Sequence, residues 1–216
     1  MNTEINTEVI LDWASKNAIE ITPAQLTQLA QHQSMVLETN QQMNLTAITD
    51  PTEFATKHII DSLTILPYIQ GAKTLADVGT GAGFPGMVVA IMRPDVQVTL
   101  IDSLRKRVFF LQEVVDKLGL ANVTAIHARG EELARTGAEY EICTARAVAS
   151  MDKLAKWVMP LVAPGGIFLA MKGQEVTEEL AKAKTALEKK GGLVKAVDVV
   201  DISPEISHSI ITIQAR

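Results

Sequence analysis

One stretch, Asp77-Val-Gly-Thr-Gly-Ala-Gly-Phe-Pro-Gly86, restricts what this 216-residue chain can fold into more than any other. It follows a short apolar run at 74–78 and leads into a helix-like segment at 85–92. A strand that passes into a helix through such a turn needs glycines. The backbone there enters the left-handed region, and it comes close to a ligand with no Cβ in the way. In open α/β sheets, ligands sit outside the carboxyl ends of the strands, and the loop after the first strand lies at the switch point. A ligand-binding α/β sheet is the first expectation.

The pattern after residue 72 agrees with it. Strands are predicted at 74–78, 96–101, 123–126, 141–145 and 166–171, with helices at 85–92, 103–118, 151–161 and 176–190. Strands separated by helices imply a parallel sheet with right-handed crossovers. The last two strands, 195–200 and 209–214, are joined only by a loop containing Pro204, which predicts an antiparallel edge. Residues 1–70 read instead as helices. Thr22-Pro-Ala-Gln25 offers a cap, a proline at the first helical position and a capping-box glutamine. Asp50-Pro-Thr-Glu53 repeats the start signal, and Ile59, Ile60, Leu63 and Leu66 supply an apolar stripe before Pro67. The expectation is a doubly wound, Rossmann-like α/β domain at 71–216, mostly parallel with an antiparallel last strand. A helical segment at 1–70 packs on its core.

Composition narrows the function classes. With 47% hydrophobic and 21% charged residues, the chain can bury one sizeable core. No apolar run approaches the roughly 20 residues of a membrane span. Met1-Asn-Thr-Glu-Ile-Asn-Thr-Glu8 lacks the basic start and apolar stretch of a signal peptide. The single cysteine, Cys143, excludes an internal disulfide and a multi-cysteine metal site. A cytoplasmic, metal-free monomer is expected. The net charge of −5 does not draw nucleic acid to the molecule as a whole. Phosphate binding then requires a local basic face, for which Arg105, Lys106, Arg107, Arg129, Arg146, Lys153, Lys156 and Lys172 are candidates.

The glycine loop points to a nucleoside-containing cofactor, and two kinds compete. Gly81-Ala-Gly-Phe-Pro-Gly86 fits the dinucleotide fingerprint, with Asp102 about 20 residues on, so an NAD(P)-dependent oxidoreductase stays open. Other features favour S-adenosylmethionine. Gly79, Gly81 and Gly83 occupy every second position behind Asp77, whose carboxylate suits an ammonium group and would repel a pyrophosphate. Pro85 removes a backbone donor that a pyrophosphate would use. The helix-free final strand pair also resembles a methyltransferase sheet more than a dehydrogenase's. In this reading Asp102 receives ribose hydroxyls, Glu131 or Glu132 meets the adenine amine, and Gly130 reads the ring edge; the alternative is the exposed start of a short helix. Phe84 packs on the cofactor or plugs the core.

The loop after the fourth strand, Thr144-Ala-Arg-Ala-Val-Ala-Ser150, bears on the reaction. It lacks the Asn/Asp-Pro-Pro-aromatic tetrapeptide that orients an exocyclic amine. Cys143 lies inside an apolar strand and reads as a structural thiol rather than a nucleophile. Arg146 remains. Its planar fork suits a carboxylate, a phosphate or a guanine edge, or else a structural pair with Asp102 or Glu131. A guanine N7 acceptor fits the absence of an obvious base, because its lone pair is available without loss of a proton.

Further runs extend the pattern. Asn44-Leu-Thr-Ala-Ile and His58-Ile-Ile-Asp-Ser-Leu63 precede the glycine loop, and Asp102-Ser-Leu-Arg-Lys-Arg107, Ala145-Arg-Ala-Val-Ala-Ser150 and Met171-Lys-Gly173 follow it. In this order, over roughly residues 35–215, they resemble the glucose-inhibited division protein B family. These are bacterial class I methyltransferases acting on a guanine N7 in small-subunit (16S) ribosomal RNA. The resemblance implies S-adenosylmethionine as cofactor, with contacts at Gly79, Phe84, Gly130, Glu131 and Arg146, and with Asp102 and Ser103 as neighbours. It implies that the N-terminal helices and basic residues hold the RNA or the small ribosomal subunit. Asn44, His58, Arg107 and Lys172 are the candidate substrate contacts. For His58 a core or capping role competes, and for Asn44 a turn. A methyltransferase for another RNA or a small molecule, and a non-enzymatic RNA-binding module, are the remaining alternatives.

Overall fold

A computed structural model describes residues 5–216; the Met1–Glu4 part of the amino-terminal stretch read above lies outside the described residues. Seven strands form one sheet: β1 (Thr74–Val78), β2 (Gln97–Asp102), β3 (Val123–His127), β4 (Tyr140–Arg146), β5 (Val162–Lys172), β6 (Gly192–Ser203) and β7 (Ile206–Ala215). Their order is β3-β2-β1-β4-β5-β7-β6. The first five run parallel, and β7 is antiparallel to both neighbours. The expected antiparallel pair is present, but its last strand is not the edge. β7 inserts between β5 and β6. Ile210, Ile211 and Ile213 are fully buried and suit an interior strand, whereas β6 exposes Val197 and Val199 and forms the edge.

Alternate residues along each strand point to opposite faces of the sheet. Leu75, Val98, Leu100 and Leu169 join one apolar cluster, and Ala76, Ile101, Phe168 and Ala170 join the other. The first cluster takes in α1 (Thr7–Lys16), α2 (Pro23–Met43), the helical stretch 51–63, α5 (Gly86–Met92) and α6 (Arg105–Leu118). The second packs α8 (Met151–Trp157) and α9 (Thr177–Lys189). A short helix, α7 (Gly130–Ala134), follows β3.

The capping box of α2 forms as its sequence requires. Gln25 N donates to Thr22 Oγ1 (3.2 Å), and Thr22 N donates to Gln25 Oε1 (2.9 Å). Asp50 Oδ1 accepts the amides of Thr52 and Glu53, starting α3 (Pro51–Phe54). This helix runs on through one wider turn, a π-helix at Ala55–Ile60, into α4 (Asp61–Leu63). Such turns carry i→i+5 bonds and re-aim side chains, often at functional positions. No helix among the described residues is long and apolar enough to cross a membrane.

Candidate active site

The parallel strands bring the tips of β1, β2, β3, β4 and β5 to one edge of the sheet. There Asp77 lies fully buried beneath the glycine loop. Its Oδ2 accepts from Thr80 Oγ1 (2.7 Å) and from Gly86 N (2.8 Å), tying both ends of the loop to β1. Its Oδ1 has no partner among the described residues, and burial pushes the carboxyl up to about 6. Above it, the Gly79 amide donates to Ile101 O (2.8 Å), and the Gly81 amide to Asp102 Oδ2 (3.0 Å). Gly79 and Gly81 have φ of +74° and +60°. A Cβ on Gly79 would come within 2.7 Å of Val148, so this glycine is also required by close approach.

Two cavities open beside the loop and share Gly79. The smaller, about 320 Å³, lies over β1, β2 and β3, with Asp102, Ser103, Gly130 and Glu131 in its wall. The larger, about 500 Å³, lies over β4 and β5 and is lined by Gly81, Phe84, Arg107, Arg146, Lys172 and His58, among others. Asp77, Gly83 and Asn44 line neither. Asp77 is under the loop. Gly83 faces inward, where a Cβ would meet Met87 and His32 at 3.1 and 3.2 Å. Asn44 is an exposed, left-handed C-cap of α2. Glu132, the alternative to Glu131, accepts the Arg129 amide (3.3 Å) as the cap of α7, so Glu131 is the one on the cavity. Asp102 Oδ1 accepts the Leu104 amide (2.8 Å), and the carboxylate keeps lone pairs for hydroxyl donors. A wall of Cβ-free backbone beside a carboxylate that can still accept suits a nucleoside.

Arg146 pairs with neither Asp102 nor Glu131. Its partner is Asp61, which also lines the larger cavity, at 2.7 Å from Nη1. Nη1 also donates to Lys57 O (2.8 Å), and Nη2 to His58 Nδ1 (3.1 Å). Nε and the second Nη2 hydrogen have no protein partner among the described residues. The reason for the unexpected pairing is the π-turn, which turns the Lys57 carbonyl and the His58 and Asp61 side chains toward β4. Sequence reasoning missed Asp61 and its second partner, His208. The one signal for Asp61 was its place within the His58-Ile-Ile-Asp-Ser-Leu63 run; His208, on β7, gave none.

Phe84 is a plug. Its ring stacks with both His32 and His58, each at 4.7 Å between centroids, and Phe54 meets its edge at 5.7 Å. The ring is buried among these neighbours. Lys172 Nζ donates to Ala149 O and pairs with Glu179 (2.7 Å), so its charge is already matched. Cys143 is buried, which pushes its thiol well up and leaves it inert.

The two stacked histidines are neutral. His32 Nε2–H donates to Ala82 O (2.8 Å), and burial lowers its pKa to about 4. Burial, then the Arg146 charge, lowers His58 to about 3, and its Nε2–H donates to Thr46 Oγ1 (2.8 Å). Because both folded values lie below the unfolded value of about 6.5, the stability they confer is complete above pH 6.5. It is lost as pH falls toward 4 and 3. Asp77 acts in the opposite sense. Its raised pKa gives stability that is present below about pH 4 and lost as pH rises through about 6. Substituting His32→Gln, which keeps a donor for Ala82, is expected to flatten the acid limb. Between pH 7 and 5 the parent should lose about 2 kcal/mol more than the variant in urea unfolding. Parallel pH profiles would show that His32 is not held neutral.

The sheet order, the reversed β7 and the glycine loop at the tip of β1 define a class I methyltransferase. The structure of a SAM-dependent methyltransferase from Aquifex aeolicus superposes with a TM-score of 0.59 at 19% identity, covering 79% of this chain and 96% of that one. The family model for GidB, rRNA small subunit methyltransferase G, matches residues 25–207. The chain belongs to this family. It is 45% identical over 188 residues to a ribosomal RNA small subunit methyltransferase G of Clostridium perfringens (strain 13 / Type A), covering 84% of this chain and 79% of that protein. A protein of the same name from Desulfitobacterium hafniense (strain Y51) is 40% identical over 196 residues, covering 89% and 82%. None of these relatives favours the oxidoreductase alternative.

Proposed function

We propose that this chain transfers the methyl group of S-adenosylmethionine to N7 of a guanine in bacterial small-subunit (16S) ribosomal RNA. The observation that carries this reading is the placing of Arg146, in a chain of this family, on a cavity that joins a nucleoside-sized one at Gly79. Asp102 holds the ribose hydroxyls, Gly130 and Glu131 hold the adenine, and Ser103, Gly79 and Gly81 line the rest of the donor. Asp77 and Gly83 shape the loop from below, Asn44 ends α2, and Phe84 supports the loop while its ring stays in the core. When bound, the donor supplies a methyl group carried on a sulfonium, open to in-line attack.

The chain's own residues supply alignment rather than proton transfer. Guanine N7 attacks with its lone pair, so no base is needed. His58, the nearest imidazole to Arg146, is neutral, with both nitrogens engaged. The unpaired donors of Arg146 hold the guanine O6 or a phosphate oxygen and leave N7 clear. On α6 the exposed Arg105 and Lys106 stand beside Phe109, which is 63% exposed. Cations next to an aromatic face suit phosphates and an unpaired base. Arg107, His58 and Lys172 border the guanine side, and the N-terminal helices contribute to RNA binding. In this reading the chain works as a monomer on ribosomes in the cytoplasm.

Labelled methyl donor and small ribosomal subunits from a methylation-deficient strain test the reading. Label in a single guanine of the RNA is expected; label only in protein or small molecules would sink it. By calorimetry S-adenosylhomocysteine should bind at roughly micromolar strength, and NAD(H) not at all. Gly81→Val should abolish that binding. Its backbone adopts φ of +60° with open space around a Cβ, so valine would strain the turn and fill the donor's path. Parent-like affinity in this variant would move the donor away from the loop.

A further inference from the structure

The cations around the larger cavity are each matched by a carboxylate. Lys57 pairs with Glu53 (2.8 Å), Arg107 with Asp102 (3.5 Å), Lys172 with Glu179 (2.7 Å) and Arg146 with Asp61 (2.7 Å). The first three carboxylates lie on the same helix or within reach of their own strand tip. Asp61 is different. It comes from α4, 85 residues before Arg146, and only 11% of its side chain is exposed. Its second oxygen accepts from His208 Nδ1 on β7, whose Nε2 lies 3.2 Å from Thr64 Oγ1. Burial alone would raise the Asp61 carboxyl, but the His208 hydrogen bond and the Arg146 charge hold it below the ordinary carboxylate value. The carboxylate is therefore ionised and gripped from both sides.

A sulfonium is a cation, and an uncompensated guanidinium in the adjoining cavity would repel it. We infer that Asp61 balances the charge of Arg146 so that the site admits a cationic methyl donor where the two cavities meet, and that His208 is a positioning residue that holds Asp61 against Arg146. This rests on the methyl-donor reading above. Neither residue needs to touch the transferred group. The arrangement also fixes which Arg146 hydrogens remain free, because Asp61 and the Lys57 carbonyl occupy both hydrogens on Nη1.

Ligand charge separates this role from a merely structural one. S-adenosylmethionine is cationic at sulfur, and S-adenosylhomocysteine is the same molecule with a neutral sulfur. Asp61→Asn keeps size and one acceptor but loses the charge. Calorimetry on the full chain should show its affinity for S-adenosylmethionine falling at least about tenfold more than its affinity for S-adenosylhomocysteine. A structural defect would weaken both equally, and equal weakening, or none, overturns the inference. His208→Leu, which frees one oxygen of Asp61, should show the same selective loss to a smaller degree. His208→Asn, whose amide can still donate, should restore the parent ratio. Should Asp61→Asn fail to fold, the His208 pair decides alone: parallel loss of both ligands in His208→Leu overturns the proposal. If the parent binds neither ligand, the methyl-donor reading fails and takes this inference with it.

Discussion

Arg146→Lys is expected to lower methyl transfer by about a hundredfold or more while melting within a few degrees of the parent. Arg146→Ala should lose transfer and stability together. Alanine would strand Asp61 as a buried carboxylate, and removing one partner of a buried pair costs about 3 kcal/mol or more. In a chain of this size that is a fall of roughly 10 °C in melting temperature. Lysine keeps the charge opposite Asp61 but not the fork, so the contacts to Lys57 O and His58 cannot all be made. Losing a preorganised donor at a reacting centre typically costs a factor of about 10² to 10³. Methyl transfer to small subunits and thermal unfolding, measured on both variants, check the pair of outcomes. A lysine variant with full activity would take Arg146 out of the reaction.

Gly130→Val is expected to weaken S-adenosylhomocysteine binding at least about tenfold and to destabilise the protein by about 2 kcal/mol. A Cβ at Gly130 would sit 2.3 Å from the Trp157 carbonyl oxygen and 3.3 Å from Val78 Cγ1. The first is backbone and has no easy way to yield. α7 must lift off the end of α8, and the wall of the smaller cavity moves with it. Titration of the folded variant tests this. Affinity equal to the parent's would show that the donor does not use that wall.

The fold was legible because its signals are local and repeated. The apolar runs ending at Val78, Asp102 and Arg146 alternate with helical stretches, and the capping residues at Thr22 and Asp50 start helices where expected. The insertion of β7 inside the sheet was less so. Two adjacent strands without a helix predict a hairpin, but not which strand faces the core. The helix after β4 also ends earlier than expected, at Trp157, giving way to a 3-10 turn that contains Pro160.

At the site, Gly79, Asp102, Gly130 and Arg146 were visible as unusual residue types at strand tips, where an α/β sheet presents its ligand. The Asp61–His208 pair was not. It depends on a wider helical turn and on a register between elements 147 residues apart, neither of which leaves a local pattern. Asp77 shows the opposite limit. Its place before the glycine turn is plain in the sequence, but a carboxylate there can face out to a ligand or inward to the turn's own donors, and here Oδ2 takes two of those donors.

The stack of His32, Phe84 and His58 joins α2, the glycine loop and the π-turn in one column of rings. The sheet-bearing part of the chain is thus packed together with the N-terminal helices at its glycine loop. A gene fragment beginning at β1 would encode every residue that lines the smaller cavity, yet the loop above it would lack both neighbours that clasp it. Mutations scattered through the first sixty residues would then disable the enzyme without approaching the reacting atoms.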